Sequence, residues 1–450
     1  MNREIVDRVV NAVLYEGYIL YPYRASSKKN QRERFTFGRI YPDDYAVAQQ
    51  GREPSFMQTE CLLRDESKDA IAHVEIRFLH PMAREIGVLH SPVNELSENE
   101  EPAFDRVPEF GLEGKLHQAW HEAIERQIIV PPFSVGASSE QRHEFYFPAS
   151  RTLEPIRGAA GKIAALMVRQ QERIEGKIEI ATQRLDGAVK LTVRVLNRTA
   201  VPAPELEDQA KIIMRTFASA HTLIWTEGGE CLSLLDPPPQ YEVAARACKN
   251  IGCWPVLVGD ETKNERDAIL SSPIILYDYP KIAPESAGNL FDGTEIDEIL
   301  TLRIQTMTDE EKAEMRNVDE HARRILERTE LMPNDHLLQM HGTMRDVRSS
   351  AQDFFNPAER RQMVTVNGVE LKAGDRVRIR PKRRADAFDM ILSGKIAIIE
   401  AIEEDVQNEV HLALVLEDDP GRELGMARQP GHRFFYGLDE VEPVAMTKSE

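Results

Sequence analysis

Cys248 and Cys253 form a C-x4-C pair, with Cys231 and His221 upstream of it. Thiolates and imidazoles of this kind suit zinc or an iron–sulfur cluster, but such sites favour tighter pairs and a second close pair is absent. The competing reading is that these cysteines are small buried hydrophobes. His117 and His121 stand at i and i+4, with Glu122 beside them. On a helix they would share one face and could hold a metal. No third ligand is identified, which favours the reading of incidental histidines on an exposed helix over a metal site.

Asp278, Glu285, Asp292 and Glu295 form an acidic group with Tyr277 and Tyr279. Paired carboxylates can transfer protons or hold a divalent cation, the chemistry of a metal-dependent, hydrolase-like site. Against this, Asp292 and Glu295 are residues that a helix N-terminus attracts, and Asp278 suits a turn at a strand end. A basic group, Arg24, Lys28, Lys29, Arg32 and Arg34, is interleaved with Tyr18, Tyr21, Tyr23, Phe35 and Phe37. Arginine among aromatics suits phosphate, nucleic acid or an acidic protein surface. The plain reading of 18–42 is a buried strand, a solvated basic loop and a second strand. G-x-S-x-G, the P-loop and G-x-G-x-x-G are all absent, and RGAAGKIAA at 157–165 lacks the P-loop spacing and its Ser/Thr.

The elements that must position these groups follow from periodicity. Residues 3–15 carry apolar side chains at helical spacing and end at Gly17. Residues 56–63 and 71–80 read as strands joined in an antiparallel hairpin, with Ala72, Val74, Ile76 and Phe78 inward and His73, Glu75 and Arg77 outward. Residues 114–127 look helical and 143–148 look like a strand. Two alternating runs over 173–197, joined through Asp186-Gly187, predict a hairpin. Residues 207–221 read as a helix, 240–250 as a short one and 255–258 as a buried strand.

The stretch 271–303 predicts a strand at Ile274–Tyr277, a turn-rich loop, and a helix with Thr294 as its N-cap. A capping box at Thr308–Glu311 opens a helix to about Thr329, and 333–343 adds a short one. Residues 364–444 change character to short alternating strands. The G-D-x-V-x-V-like opening at Gly374 and the closing V-x-P look like a small SH3-like barrel. The expected fold is α+β and multidomain: an N-terminal α+β domain (1–160), a middle α+β domain ending in helices (161–344), a linker (345–363) and an SH3-like β-barrel (364–446).

The formal net charge of −19 disfavours general nucleic-acid binding, which needs a cationic face. The second basic run, Arg380–Arg384, is offset by Glu417, Asp418 and Asp419. An acidic segment of a protein partner is the better fit for the 24–34 group. Apolar runs are far shorter than the ~20 residues of a membrane span. The first residues carry acids among apolar ones and lack a continuous apolar core, so no signal peptide and no membrane partner are expected. Four cysteines are too few for a disulfide scaffold and point to reduced thiols in a cytoplasm. No cofactor is expected.

The phrases LYEGYILYPYR (14–24), FMQTECLL (56–63), WPVLVGD (254–260) and SSPIILYDYPKIAPESAGNLFDGTEIDEILTLR (271–303) resemble an uncharacterised bacterial family encoded near nickel–iron hydrogenases. GDRVRIRPKRRADAFDM and GHRFFYGLDEVEP fit the same family, so the resemblance covers nearly the whole chain. The family has no motif with an assigned role, and no catalytic residue carries over. The resemblance implies a cytoplasmic accessory protein whose partner is a hydrogenase subunit or maturation factor. Two functions are therefore expected in competition: a non-catalytic, partner-binding accessory factor, or a metal-dependent enzyme using the acidic loop 278–295.

Overall fold

The computed structural model describes residues 1–64, 69–97, 101–136, 139–282, 286, 288–292, 297–333, 363–381, 392–404, 410–419, 422 and 434–444. The chain forms two compact units. The first comprises Met1–Ala283, Asn289–Thr294 and Asp309–Ile325; the second comprises Pro284–Gly288, Glu295–Thr308 and Leu326–Glu450. Strand exceeds helix, and all the sheet pairings described are antiparallel.

In chain order, α1 (Arg3–Leu14), α2 (Lys28–Arg32) and α3 (Asp43–Ala48) precede β1 (Phe56–Arg64) and the long β2 (Ile71–Val93). There follow β3 (Phe104–Val107), β4 (Glu109–Leu112), β5 (Lys115–Gln118), β6 (Trp120–Ser134), β7 (Glu140–Phe147), β8 (Ser150–Arg157), β9 (Ile163–Gln171), β10 (Ile174–Arg184) and β11 (Val189–Asn197). The unit continues with α4 (Gln209–Ile213), β12 (Ala218–Glu227), β13 (Glu230–Leu232), α5 (Glu242–Arg246), β14 (Trp254–Leu257) and β15 (Ala268–Ser272).

These strands make a sandwich. One sheet has the order β13-β1-β11-β10-β7, and the other runs β14-β15-β12-β2-β9-β8 with β3 and β6 also paired to β2. Strands from both sides of residue 160 thus share each sheet. Between the sheets lie Met57, Cys61, Val74, Ile76, Phe78, Ile178, Leu191, Val193, Phe217 and Ile224, all buried. Each of the Val, Leu, Ile, Met and Phe side chains among them stabilises the fold by roughly 1.5–3 kcal/mol on burial. Phe78 stacks on Phe217 with ring centroids 4.5 Å apart.

The β10–β11 hairpin forms as the alternation predicts, turning through Asp186-Gly187 with Arg184 opposite Val189. β1 and β2 do not form the expected hairpin. β1 pairs with β11 and β13, while β2 lies in the other sheet. Nor is the outer face of β2 solvated. Val6, Val9 and Val10 of α1 pack over that sheet with Leu223, Val256 and Leu270. Glu75 is fully buried there, accepting from Arg3 at 2.7 and 3.0 Å and from Gln127 at 2.7 Å. Arg77 meets Asp7, Asn11 and Glu125. A buried charge requires such partners, and α1 brings them.

Other expectations are corrected. Residues 114–127 are not a helix but β5 and the start of β6, because β5 pairs with β4 and β6 with β2. Helix within 207–221 is confined to α4, and Ala218 onward is β12. The run Ile274–Tyr277 is not a strand: Ile275 and Tyr277 are 73% and 61% exposed, and the strand is β15, just before it. Residues 18–42 hold α2 and a single bridge at Ile40 rather than two strands. Three helices follow, α6 (Asp297–Gln305), α7 (Asp309–Val318) and α8 (Glu320–Glu330), so the helix expected from 308 to 329 breaks at Asp319. Asp319 accepts the Ala322 N–H at 2.8 Å and starts a new helix there. Thr294, the helix expected at 333–343 and nearly all of the linker lie outside the described residues.

In the second unit, β16 (Val364–Val366) pairs with β17 (Val369–Leu371). A five-stranded sheet runs β21 (Phe434–Gly437), β20 (Val410–Leu416), β19 (Ile396–Glu404), β18 (Arg376–Ile379), β22 (Val441–Pro443). Val377, Ile379, Ile399, Leu412 and Leu414 form its core. No pairing closes this sheet between its edge strands among the described residues. Among the described residues, no helix is long and apolar enough to cross a membrane.

Candidate binding cleft

The basic, aromatic segment 18–41 is not a free loop. Residues 289–292 are stitched to it and to α1. Asn289 donates to Ala12 O at 2.7 Å, Tyr23 donates its hydroxyl to Leu290 O at 2.7 Å, and Gly17 N donates to Phe291 O at 2.9 Å. Asp292, 1% exposed, accepts from Tyr21 N at 3.0 Å and from Lys29 Nζ at 2.7 Å. On α7, Glu311 pairs with Arg24 at 2.9 Å and Glu314 accepts from Ser26 N at 2.9 Å.

Arg34 is buried, with its guanidinium 3.6 Å from the centre of the Trp120 ring. Burial in this aromatic setting lowers its pKa to about 10, partly offset by the neighbouring Tyr18 and Asp319. Of the basic residues singled out for partner binding, Lys28 and Arg32 are exposed, while Arg24, Lys29 and Arg34 are engaged inside the fold.

The carboxylates do not converge. Asp278 accepts from Leu257 N at 2.7 Å and from the Ser233 hydroxyl, tying the loop after β15 to β14. Asp292 serves the 18–30 segment as described. Glu285 and Glu295 lie outside the described residues. Cys61, Cys231 and Cys253 share the core between the sheets, as buried side chains rather than as a ligand set. Cys253 donates its thiol to Gln58 O at 3.0 Å and Cys248 donates to Ala244 O at 3.5 Å. Burial raises the thiol pKa of all four cysteines, Cys248 to about 11.

His221 sits on β12 with Nδ1 2.7 Å from Ser219 O and Nε2 3.1 Å from Ser272 Oγ. A carbonyl only accepts, so Nδ1 carries the proton and Nε2 accepts from the serine. Desolvation lowers its pKa to about 4 and keeps it neutral. His117 and His121 lie on β5 and β6, not on one helical face. Among the described residues, no group of three or more His, Cys, Asp and Glu is placed to hold a metal ion.

The concave feature of this region is built by the end of the same segment. Residues 36–41 with Glu53, Pro54, Phe56, Met57, Gly252, Trp254 and Pro273 line a cleft of about 310 Å³. Its walls include Phe37, Tyr41, Phe56 and Trp254, and Arg39 and Glu53 are its charged members. Arg39 is tied back: it donates to Phe35 O, to Arg34 O and, at 2.9 Å, to the Tyr41 hydroxyl.

Gly38 makes the floor possible. Its φ is +51°, and a Cβ there would sit 2.6 Å from Pro273 and 3.1 Å from Ala220 N. Trp254 opens β14 and is 44% exposed. Its indole N–H and the Glu53 carboxylate make no hydrogen bond or ion pair among the described residues. The sequence signal for this cleft was the exposed aromatic before a proline, Trp254-Pro255, set against Phe37-Gly38. Neither pair matches a motif, and only the sandwich brings them together.

No protein-family model matches the chain, and none of the curated proteins matches it either.

Proposed function

We propose that this chain is a non-catalytic accessory factor that binds another protein, in the cytoplasm, in nickel–iron hydrogenase assembly or maturation. The observation that carries the binding role is the aromatic cleft beside Trp254, where an exposed indole with a free donor stands over a concave apolar surface. The hydrogenase context rests on the sequence resemblance over 14–24, 56–63, 254–260 and 271–303. The second unit, with its antiparallel five-stranded sheet and core at Val377, Ile379, Leu412 and Leu414, is proposed as an SH3-like barrel, a second binding module. The enzyme reading on loop 278–295 draws no support from Asp278 or Asp292, whose oxygens accept structural hydrogen bonds.

The test is affinity capture of the tagged full chain from its native host, with mass spectrometry of the eluate. Hydrogenase subunits or maturation factors are expected with the wild type and are expected to be lost with Trp254→Ala. An unaccompanied protein overturns the accessory role. An unchanged partner set in the variant overturns the cleft as its site.

A further inference from the structure

We propose that the cleft recognises a proline-rich segment of the partner in the polyproline II conformation. The inference rests on the partner-binding reading above and names the chemistry of what that site takes.

β14 is the edge strand of its sheet, so addition of an extended strand is the first alternative to weigh. The structure closes that route. Val258 N donates inward to Ala268 O, which turns residues 255 and 257 outward. Pro255 has no N–H. The Leu257 N–H is taken by Asp278 at 2.7 Å, and Leu257 O accepts from Tyr279 N at 2.7 Å. The edge therefore offers no ladder to a visiting strand.

What it offers instead is ring faces and a side-chain donor. Phe37, Phe56 and Trp254 present partly exposed rings, and the cleft is close to neutral because Arg39 and Glu53 offset each other. A polyproline II segment makes no internal hydrogen bonds. It keeps its carbonyls free and presents pyrrolidine rings that pack on aromatic walls, at little entropic cost because it is already extended. The free Trp254 indole N–H matches such a carbonyl. The volume of about 310 Å³ suits one or two proline rings rather than a large cofactor.

The experiment is a titration of the full chain with an acetylated, amidated decaproline peptide, followed by isothermal calorimetry and tryptophan fluorescence. A Gly/Ser peptide of the same length is the control. Decaproline is expected to bind saturably and the control not at all. Trp254→Ala should weaken binding about tenfold or more, as for a central aromatic anchor. Trp254→Phe, which keeps a ring and loses the N–H, should weaken it roughly threefold. Circular dichroism checks that both variants fold, which the exposure of Trp254 favours.

Absence of decaproline binding at millimolar concentration overturns the proposal, as does equal affinity for wild type and Trp254→Ala. The two readings separate cleanly. If native partners depend on Trp254 but decaproline does not bind, the accessory role stands and proline recognition fails. If no partner is captured, the accessory role fails whatever decaproline does.

Discussion

Lys29 and Asp292 stand 263 positions apart and meet at 2.7 Å. One belongs to the basic group that the sequence offers for a partner, the other to the acidic group that it offers for catalysis. In the fold they neutralise each other, and Asp292 also receives the Tyr21 N–H. The resemblance of the two segments to functional patches thus has a structural cause: complementary charges hold residues 289–292 against the N-terminal segment.

Removing Asp292 should therefore cost stability. Asp292→Ala leaves Lys29 and the Tyr21 N–H without their acceptor, and the loss should be about 2 kcal/mol, below the figure for a fully buried pair because Lys29 is partly exposed. Asp292→Asn, which keeps an acceptor oxygen, should lose about half as much. Urea unfolding measures both. An unchanged midpoint for Asp292→Ala would return this residue to the list of functional candidates.

The buried histidines predict an acid-labile fold. His221 and His80 have native pKa values lowered by burial, to about 4 and about 3, from 6.5. Between these values and 6.5 the unfolded chain binds protons that the native state does not. Stability contributed by keeping them neutral is therefore complete above pH 6.5 and falls as pH is lowered toward 4. Each histidine accounts for up to roughly 3 kcal/mol over that window. Unfolding free energy measured from pH 7.5 to 4.5 should fall steeply, and His221→Gln should flatten the slope. Parallel curves for variant and wild type would contradict the assignment.

The thiols should be inert in the native protein. Cys61, Cys231 and Cys253 are buried, and burial holds all four cysteines above the ordinary thiol range. At pH 8, a thiol-reactive chromogenic disulfide should modify Cys248 slowly and the other three only after denaturation. Rapid native reaction at Cys253 would show that its bond to Gln58 O is not maintained.

Local features of the fold were legible in the sequence; the pairings across it were not. The β10–β11 hairpin carries its turn, Asp186-Gly187, and its alternation in consecutive residues. The helical spacing of Val6, Val9, Val10 and Leu14 is equally local. The hairpin expected of β1 and β2 failed because their neighbours, β11 and β12, lie more than a hundred residues away, and alternation does not say which edge a strand joins. Residues 114–127, with His117 and His121, read as a helix, yet β4 pairs with the segment holding His117 and β2 with the one holding His121, and both become strand. The cleft was the least legible, since Phe37, Phe56 and Trp254 come from three separated segments. His221 was noted as a ligand, but its serine partner Ser272 could be found only in the folded sheet.

Trp120 and Asp319 give the most discriminating test of how α8 begins. The Trp120 indole N–H donates to Asp319 Oδ2 at 3.3 Å, while Oδ1 accepts the Ala322 N–H at 2.8 Å. One carboxylate therefore caps a helix and anchors it to β6, next to the buried Arg34. Asp319→Ser keeps a capping oxygen and gives up the indole contact and the charge. Asp319→Ala gives up the cap as well. The alanine variant should be less stable than the serine variant by about 1 kcal/mol, the ordinary worth of an N-cap. Both should fall below wild type by at least as much again, because Arg34 loses a nearby negative charge in a buried setting. Urea unfolding followed by circular dichroism gives the ranking, and tryptophan emission reports the Trp120 contact. If the serine variant matches wild type, the helix cap is the whole contribution of Asp319, and the buried Arg34 is held by its aromatic neighbours and its bond to Tyr18 O at 2.5 Å.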